Sequence, residues 1–241
     1  MTAPAPSAPR PAGPRIPSWA QPRLAGRRES VGRALLYAFG AASALDLVAL
    51  LAGWHPGHLI AKPLLMPLLV AYVLTRRAPR LLVAALAFGW GGDVALLFDA
   101  DLAFLVGMGS FALGHVCYLF LFGRGSGSGS GRDRVPPLVG AGYAVALVTT
   151  VALLWSDLPA GLRGPVAGYS LLLTAMAWRS GALGRTAAAG GALFLLSDTL
   201  IATGVAEWPQ PPGPDFWIMA TYLAAQYLLA TGALTERRGV R

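Results

Sequence analysis

Eight runs of apolar residues constrain this chain more than any other feature, because each is close to the ~17–25 residues a helix needs to cross ~30 Å of hydrocarbon. They fall at about 33–53, 59–75, 80–98, 102–122, 135–155, 162–178, 186–204 and 216–234. They predict an all-α, polytopic membrane bundle of eight transmembrane helices. The charged fraction, 12%, agrees, since soluble domains average about 25%. The second run holds Pro63 and Pro67. Both remove backbone donors and predict a kink, tolerable where neighbours satisfy the freed carbonyls.

The segments outside the runs set the domain plan. Residues 1–32 carry seven prolines and five arginines with little apolar periodicity, which predicts a disordered cytoplasmic tail. The first long run has no small-residue cleavage site after it, so a signal peptide is not expected. The membrane domain is expected over 33–235, with a flexible Gly/Ser linker at 123–134 and a short C-terminal tail at 236–241. That linker divides the bundle into four and four. Gly92-Asp93 in the third run and Ser197-Asp198 in the seventh suggest a 4+4 duplication of the parallel kind.

Charge gives the orientation. The tail, the even-to-odd connections and the C-terminus hold 17 of the 19 basic residues, leaving Arg163 opposite and Lys62 inside a helix. The positive-inside rule then places both termini in the cytoplasm, at the plasma membrane. Asp99, Asp101, Asp157, Glu207 and Asp215 occupy the opposite loops, and Trp54, Trp155, Trp208 and Trp217 mark helix ends. The net charge of +8 thus belongs to membrane topology, and no nucleic-acid partner is expected. The single cysteine, Cys117, builds neither a disulfide framework nor a metal cluster, and no cofactor is expected.

Charged groups inside hydrocarbon are costly and mark functional sites. Within the runs stand Asp46, Lys62, Asp93, His115 and Asp198. At ~1.5 Å per residue, Asp93 lies roughly 7 Å below the non-cytoplasmic boundary and Asp198 roughly 9 Å. Lys62 lies about 5 Å down and Tyr222 about 9 Å, while His115 is nearer the midplane. Tyr222 and Gln226 form an i, i+4 pair, as do Gly89 and Asp93. Asp46 has no depth-matched partner and reads as an interhelical hydrogen-bond fixture. Burial favours the neutral acid, whereas a nearby ammonium favours the carboxylate. Two Asp residues with one Lys can therefore divide into one acid and one anion, a pair suited to general acid/base hydrolysis. The chain has no Gly-x-Ser-x-Gly elbow, no His-Glu-x-x-His pair and no phosphate loop. A proton-coupled transporter is the alternative, because intramembrane Asp, His and Lys also build proton relays.

Several short motifs keep an order that resembles the YhhN family of eight-helix membrane proteins, which includes the lysoplasmalogenases. They are Lys62-Pro63, Gly92-Asp93, then Phe104, Gly107, Phe111, Gly114-His115 and Tyr118 in the fourth run. Tyr169, Gly191-Ala192, Phe194, Ser197-Asp198, Tyr222 and Gln226 complete the pattern. The resemblance implies hydrolysis of the sn-1 vinyl ether bond of a lysoplasmalogen in the bilayer, giving a fatty aldehyde and a glycerophospho-alcohol. For that chemistry Asp93 and Asp198 are expected to be the acid and the stabilising base, in either order. Lys62, His115, Tyr118, Tyr169, Ser197, Tyr222 and Gln226 would bind substrate or support the pair. The Pro-rich tail and the Gly/Ser linker lie outside the pattern.

Overall fold

The computed structural model describes residues 20–125 and 135–239, and the expected linker falls largely outside the described residues. Eight α-helices follow one another: α1 Ala20–Leu51, α2 His55–Thr75, α3 Arg80–Ala95, α4 Asp101–Gly125, α5 Pro137–Leu154, α6 Ala160–Ser180, α7 Arg185–Val205 and α8 Pro214–Gly239. A 3-10 turn at Gly181–Leu183 joins α6 to α7, and Gly184 turns the chain there with φ 98°. Six of the eight, all but α3 and α6, are long and apolar enough to cross a membrane. The chain is a multi-pass, all-helical membrane protein.

The helix ends differ from the sequence reading most at the two ends of the chain, while α2 begins four residues earlier and α3 ends three residues sooner than expected. The stretch Ala20–Gly32, expected to belong to the disordered tail, is the start of α1. Its one proline, Pro22, falls in the first turn, where a missing N–H costs no intrahelical bond. At the other end α8 continues to Gly239, into the expected tail.

Short connections make α1 to α4, and again α5 to α8, successively antiparallel. One end of the bundle gathers Asp99, Asp101, Asp157, Glu207 and Asp215, and the other gathers Arg76, Arg77, Arg80, Arg179 and Arg185; we call them the acidic and basic ends. The tightest packing joins α7 to α8, α1 to α2, and α3 to α4. In a bilayer, lipid tails are as apolar as leucine, so close backbone approach and interhelical hydrogen bonds hold helices together. A Cβ on Gly190 would stand 2.8 Å from the Leu229 backbone nitrogen and 3.0 Å from the Ala225 carbonyl oxygen. On α3, a Cβ on Gly92 would meet the Phe111 ring at 2.5 Å. Pro67 has no N–H to offer the carbonyl of Pro63, and the Trp90 indole Nε1 donates to that oxygen at 2.9 Å. The freed carbonyl of α2 is thereby resupplied by its neighbour.

The helix α5 departs from this pattern. It packs mainly on α6, and of its own residues only Leu154, at its acidic end, is buried.

Candidate functional site

The polar residues of the spans collect into two hydrogen-bonded chains. In the first, Tyr118 on α4 donates to Gln226 Oε1 (2.8 Å), Gln226 Nε2 donates to the Tyr222 hydroxyl (3.2 Å), and Tyr222 donates to Asp93 Oδ2 (2.9 Å). The room for it comes from Gly89, where a Cβ would stand 2.8 Å from Gln226 Nε2 and 3.1 Å from the Tyr222 hydroxyl. All four side chains are buried.

In the second chain the Tyr169 hydroxyl donates to Asp198 Oδ2, and His115 Nε2 lies 3.0 Å from the same hydroxyl. A phenol that gives its hydrogen to a carboxylate has only lone pairs left for the imidazole. Nε2 therefore carries a hydrogen, assigned from the network. Nδ1 has no partner among the described residues.

Two aromatic rings stand between the chains. Phe194 meets His115 edge-on at a centroid distance of 4.8 Å and Tyr222 at 5.4 Å, and Phe111 meets Tyr222 at 5.8 Å. Asp93 belongs to the chain on one side of this layer and Asp198 to the chain on the other. A cavity of about 310 Å³ is lined by Asp198, Tyr169, the hydroxyl residues Thr150, Ser170, Thr174 and Thr199, and otherwise by apolar side chains, most of them on α4, α5, α6 and α7; Asp93 is not part of its wall.

The other expected site residues divide in the same way. Lys62 is buried on α2 and its charge acts on Asp93, with no ion pair to a carboxylate among the described residues. The Ser197 hydroxyl donates to the Ile218 carbonyl at 3.1 Å and ties α7 to α8, outside both chains. Asp46 does have a partner: His58 Nδ1 lies 2.8 Å from its Oδ1, and its Oδ2 is buried without one. His58 escaped the sequence reading because α2 begins at His55, so a residue placed in a loop is helical. It stands one turn from Lys62, a spacing that could have revealed it.

At its acidic end the cavity runs against packed side chains, with Met108, Val166, Ala202 and Val205 shared between its wall and a buried cluster. Leu154, Leu158, Val166 and Ala206 form that cluster, with Met108, Ala202, Val205 and Trp208 packed against it. Trp208 Nε1 donates to Asp157 Oδ2 at 2.7 Å, clasping the α7–α8 loop to the α5–α6 loop. Glu207, with φ 58°, makes the left-handed turn just before the indole. Hydrogen bonds from Trp208 and then from Ser156 hold the exposed Asp157 carboxyl below the usual carboxylate range. A group lowered in this way contributes order that is present above its ordinary pKa, about 3.9, and lost as pH falls through the lowered value. Amide exchange protection in residues 155–160 and 206–210 is therefore expected to be level from neutral pH down to about 5 and to fall only below about 3.9. Loss of protection near neutral pH would show that the clasp does not order these loops.

The cavity is open on its side. Ala146 on α5 and Ala192 and Leu196 on α7 line it and are exposed, Leu196 to 47%. The opening faces the region that lipid tails occupy around the bundle.

Comparison with known proteins places the chain. Among curated proteins it is similar to the human lysoplasmalogenase TMEM86B, at 35% identity over 155 residues, which cover 64% of each chain. The rat lysoplasmalogenase TMEM86B is 34% identical over 154 residues, or 64% of this chain and 61% of that one. The bovine lysoplasmalogenase TMEM86A is 31% identical over 182 residues, covering 71% of this chain and 72% of that one. The match thus spans less than two thirds of the human and rat proteins. No solved structure matches. The YhhN family profile matches residues 57–233, from the third residue of α2 nearly to the end of α8 and across every residue of both hydrogen-bonded chains, and the chain belongs to the YhhN family.

Proposed function

We propose that this protein is a membrane-embedded hydrolase that cleaves the vinyl ether bond of a lyso-ether phospholipid, releasing a fatty aldehyde and a glycerophospho-alcohol. The observation that carries this reading is the Asp198 carboxyl, set in the wall of a mostly apolar cavity that opens sideways. Relatives named lysoplasmalogenases support it. In the same reading all eight helices cross the membrane, α3 and α6 included, with both termini on the cytoplasmic side.

The chemistry follows from the two chains. Asp198 Oδ2 is engaged by Tyr169, so the acidic proton sits on Oδ1. Asp198 gives it to the outer carbon of the C=C bond. The π electrons form the new C–H bond, and an oxygen lone pair makes the adjoining carbon an oxocarbenium ion. The carboxylate left behind faces this cation, with Tyr169 and His115 holding its geometry. Water adds to the cationic carbon and its surplus proton returns to Asp198. The hemiacetal then loses the glycerol oxygen as an alcohol and leaves the aldehyde. Asp93, behind the Phe111–Phe194 layer, adds negative charge that favours the cation, and Lys62 balances it. Such preorganised charge acts strongly where water is excluded.

A carrier would need a path from the carboxyl to both aqueous faces. The cavity runs toward the acidic end, meets packed side chains there, and opens to the side, which favours the enzyme. Purified protein in bilayers is expected to release aldehyde from a lysoplasmalogen and none from the saturated alkyl analogue. Absence of aldehyde from the vinyl ether would overturn the reading.

A further inference from the structure

We propose that the side opening between α5 and α7 is the entry and binding site for one aliphatic chain arriving from the bilayer, and that Ala146 and Ala192 set its width. The proposal rests on the hydrolase reading for the reaction it serves, but not for the binding itself.

Three observations meet here. The clasp and the cluster beneath it pack side chains between the cavity and the acidic end on the α5–α6 side. The exposed lining residues all lie on α5 and α7, and they are two alanines and a leucine. The wall that carries Ala146 is the helix with least support: α5 is buried only at Leu154 and approaches α6 at its other end, where a Cβ on Gly140 would stand 3.1 Å from the Trp178 ring. Its middle, with Ala146 and Thr150 one turn apart, faces the cavity.

The occupant follows from size and chemistry. A cavity of about 310 Å³ with a mostly apolar lining and one carboxyl in its wall suits a hydrocarbon chain with a polar head end. Ala192 stands six residues from Asp198 along α7, roughly 9 Å by helix rise. A chain lying past Ala192 thus presents its head end to the carboxyl and lets its far end remain among lipid tails. Moving a chain from lipid into an apolar cleft brings no hydrophobic gain, so the fit of the opening decides which molecules enter. Small side chains at Ala146 and Ala192 are what keep it open.

The test uses the full chain in bilayers. Ala146→Phe, Ala192→Phe and their combination put aromatic rings into the opening. Ala144→Phe, on an exposed position of α5 outside the cavity wall, is the control. The combined variant is expected to lose about tenfold or more in turnover of a long-chain vinyl ether lysophospholipid, and less than about twofold on the ethenyl ether of glycerol, which needs no wide opening. Ala144→Phe should match the wild type on both. A second readout is independent of cleavage: retention of a non-cleavable long-chain alkyl lysophospholipid by the purified protein, counted by mass spectrometry. The wild type should retain it and the combined variant should not. If the wild type retains this lipid, the combined variant loses it, and no vinyl ether is cleaved, the hydrolase reading falls and the entry site stands. If the combined variant retains the lipid as the wild type does, or if Ala144→Phe impairs long-chain turnover equally, the entry site is overturned.

Discussion

Asp198→Asn is expected to lower aldehyde release by about a hundredfold or more, the usual contribution of a positioned general acid, with the helical bundle intact. The amide is nearly the same shape as the acid, and its oxygen still accepts the Tyr169 hydrogen bond. What disappears is the transferable proton. Asp93→Asn removes charge from behind an aromatic layer and not the reacting proton, so its expected loss is smaller, about tenfold. Aldehyde release over time measures both, with thermal unfolding as the control for folding. A double variant that still released aldehyde would remove both residues from the mechanism. Asp93→Asn losing more than Asp198→Asn would reverse their roles.

The second large effect concerns assembly. Gly190→Leu forces a side chain against backbone atoms of Leu229 and Ala225, neither of which can rotate away. Overpacking of this kind costs typically about 1–3 kcal/mol and more where backbone must shift. The helices α7 and α8 must separate, which tilts Asp198 away from Tyr169 and Tyr222 away from Asp93. Both stability and turnover should fall. Gly168→Leu on α6 meets nothing within 4 Å of its Cβ and is exposed, so it should be tolerated. Unfolding midpoints of the two variants in one detergent decide the matter. Equal midpoints would show that the α7–α8 seam does not depend on the missing side chain.

The fold was legible because apolar run length is a direct image of helix length in hydrocarbon. Each of the eight runs became one helix. The errors lay at the ends, where the sequence leaves the apolar regime. The prolines before Ala20 made all of residues 1–32 look unstructured, although from Arg23 to Gly32 there is none, and α1 extends there.

The site was half legible. Depth along a helix can be counted from sequence, and of the residues placed by depth Asp93, His115, Asp198 and Tyr222 each engage a polar side chain of another helix, whereas Tyr118 and Tyr169 stand out only through the family resemblance and Gln226 through its spacing from Tyr222. Rotation about the helix axis, and which helix faces which, cannot be counted that way. Hence the division into two chains, the aromatic layer between them and the pairing of Asp46 with His58 were not foreseen. Ser197 shows the same limit from the other side. Its depth equals that of Asp198, but its direction along α7 differs by about 100°, and it serves α8.

If the protein is the proposed hydrolase, the sparse packing of α5 bears on how a product leaves it. Neither polar chain includes a residue of α5: their members stand on α3, α4, α6, α7 and α8. A sideways swing of α5 would therefore let a spent hydrocarbon tail slip out, while the donors and acceptors around the two carboxyls stay in register for the next molecule.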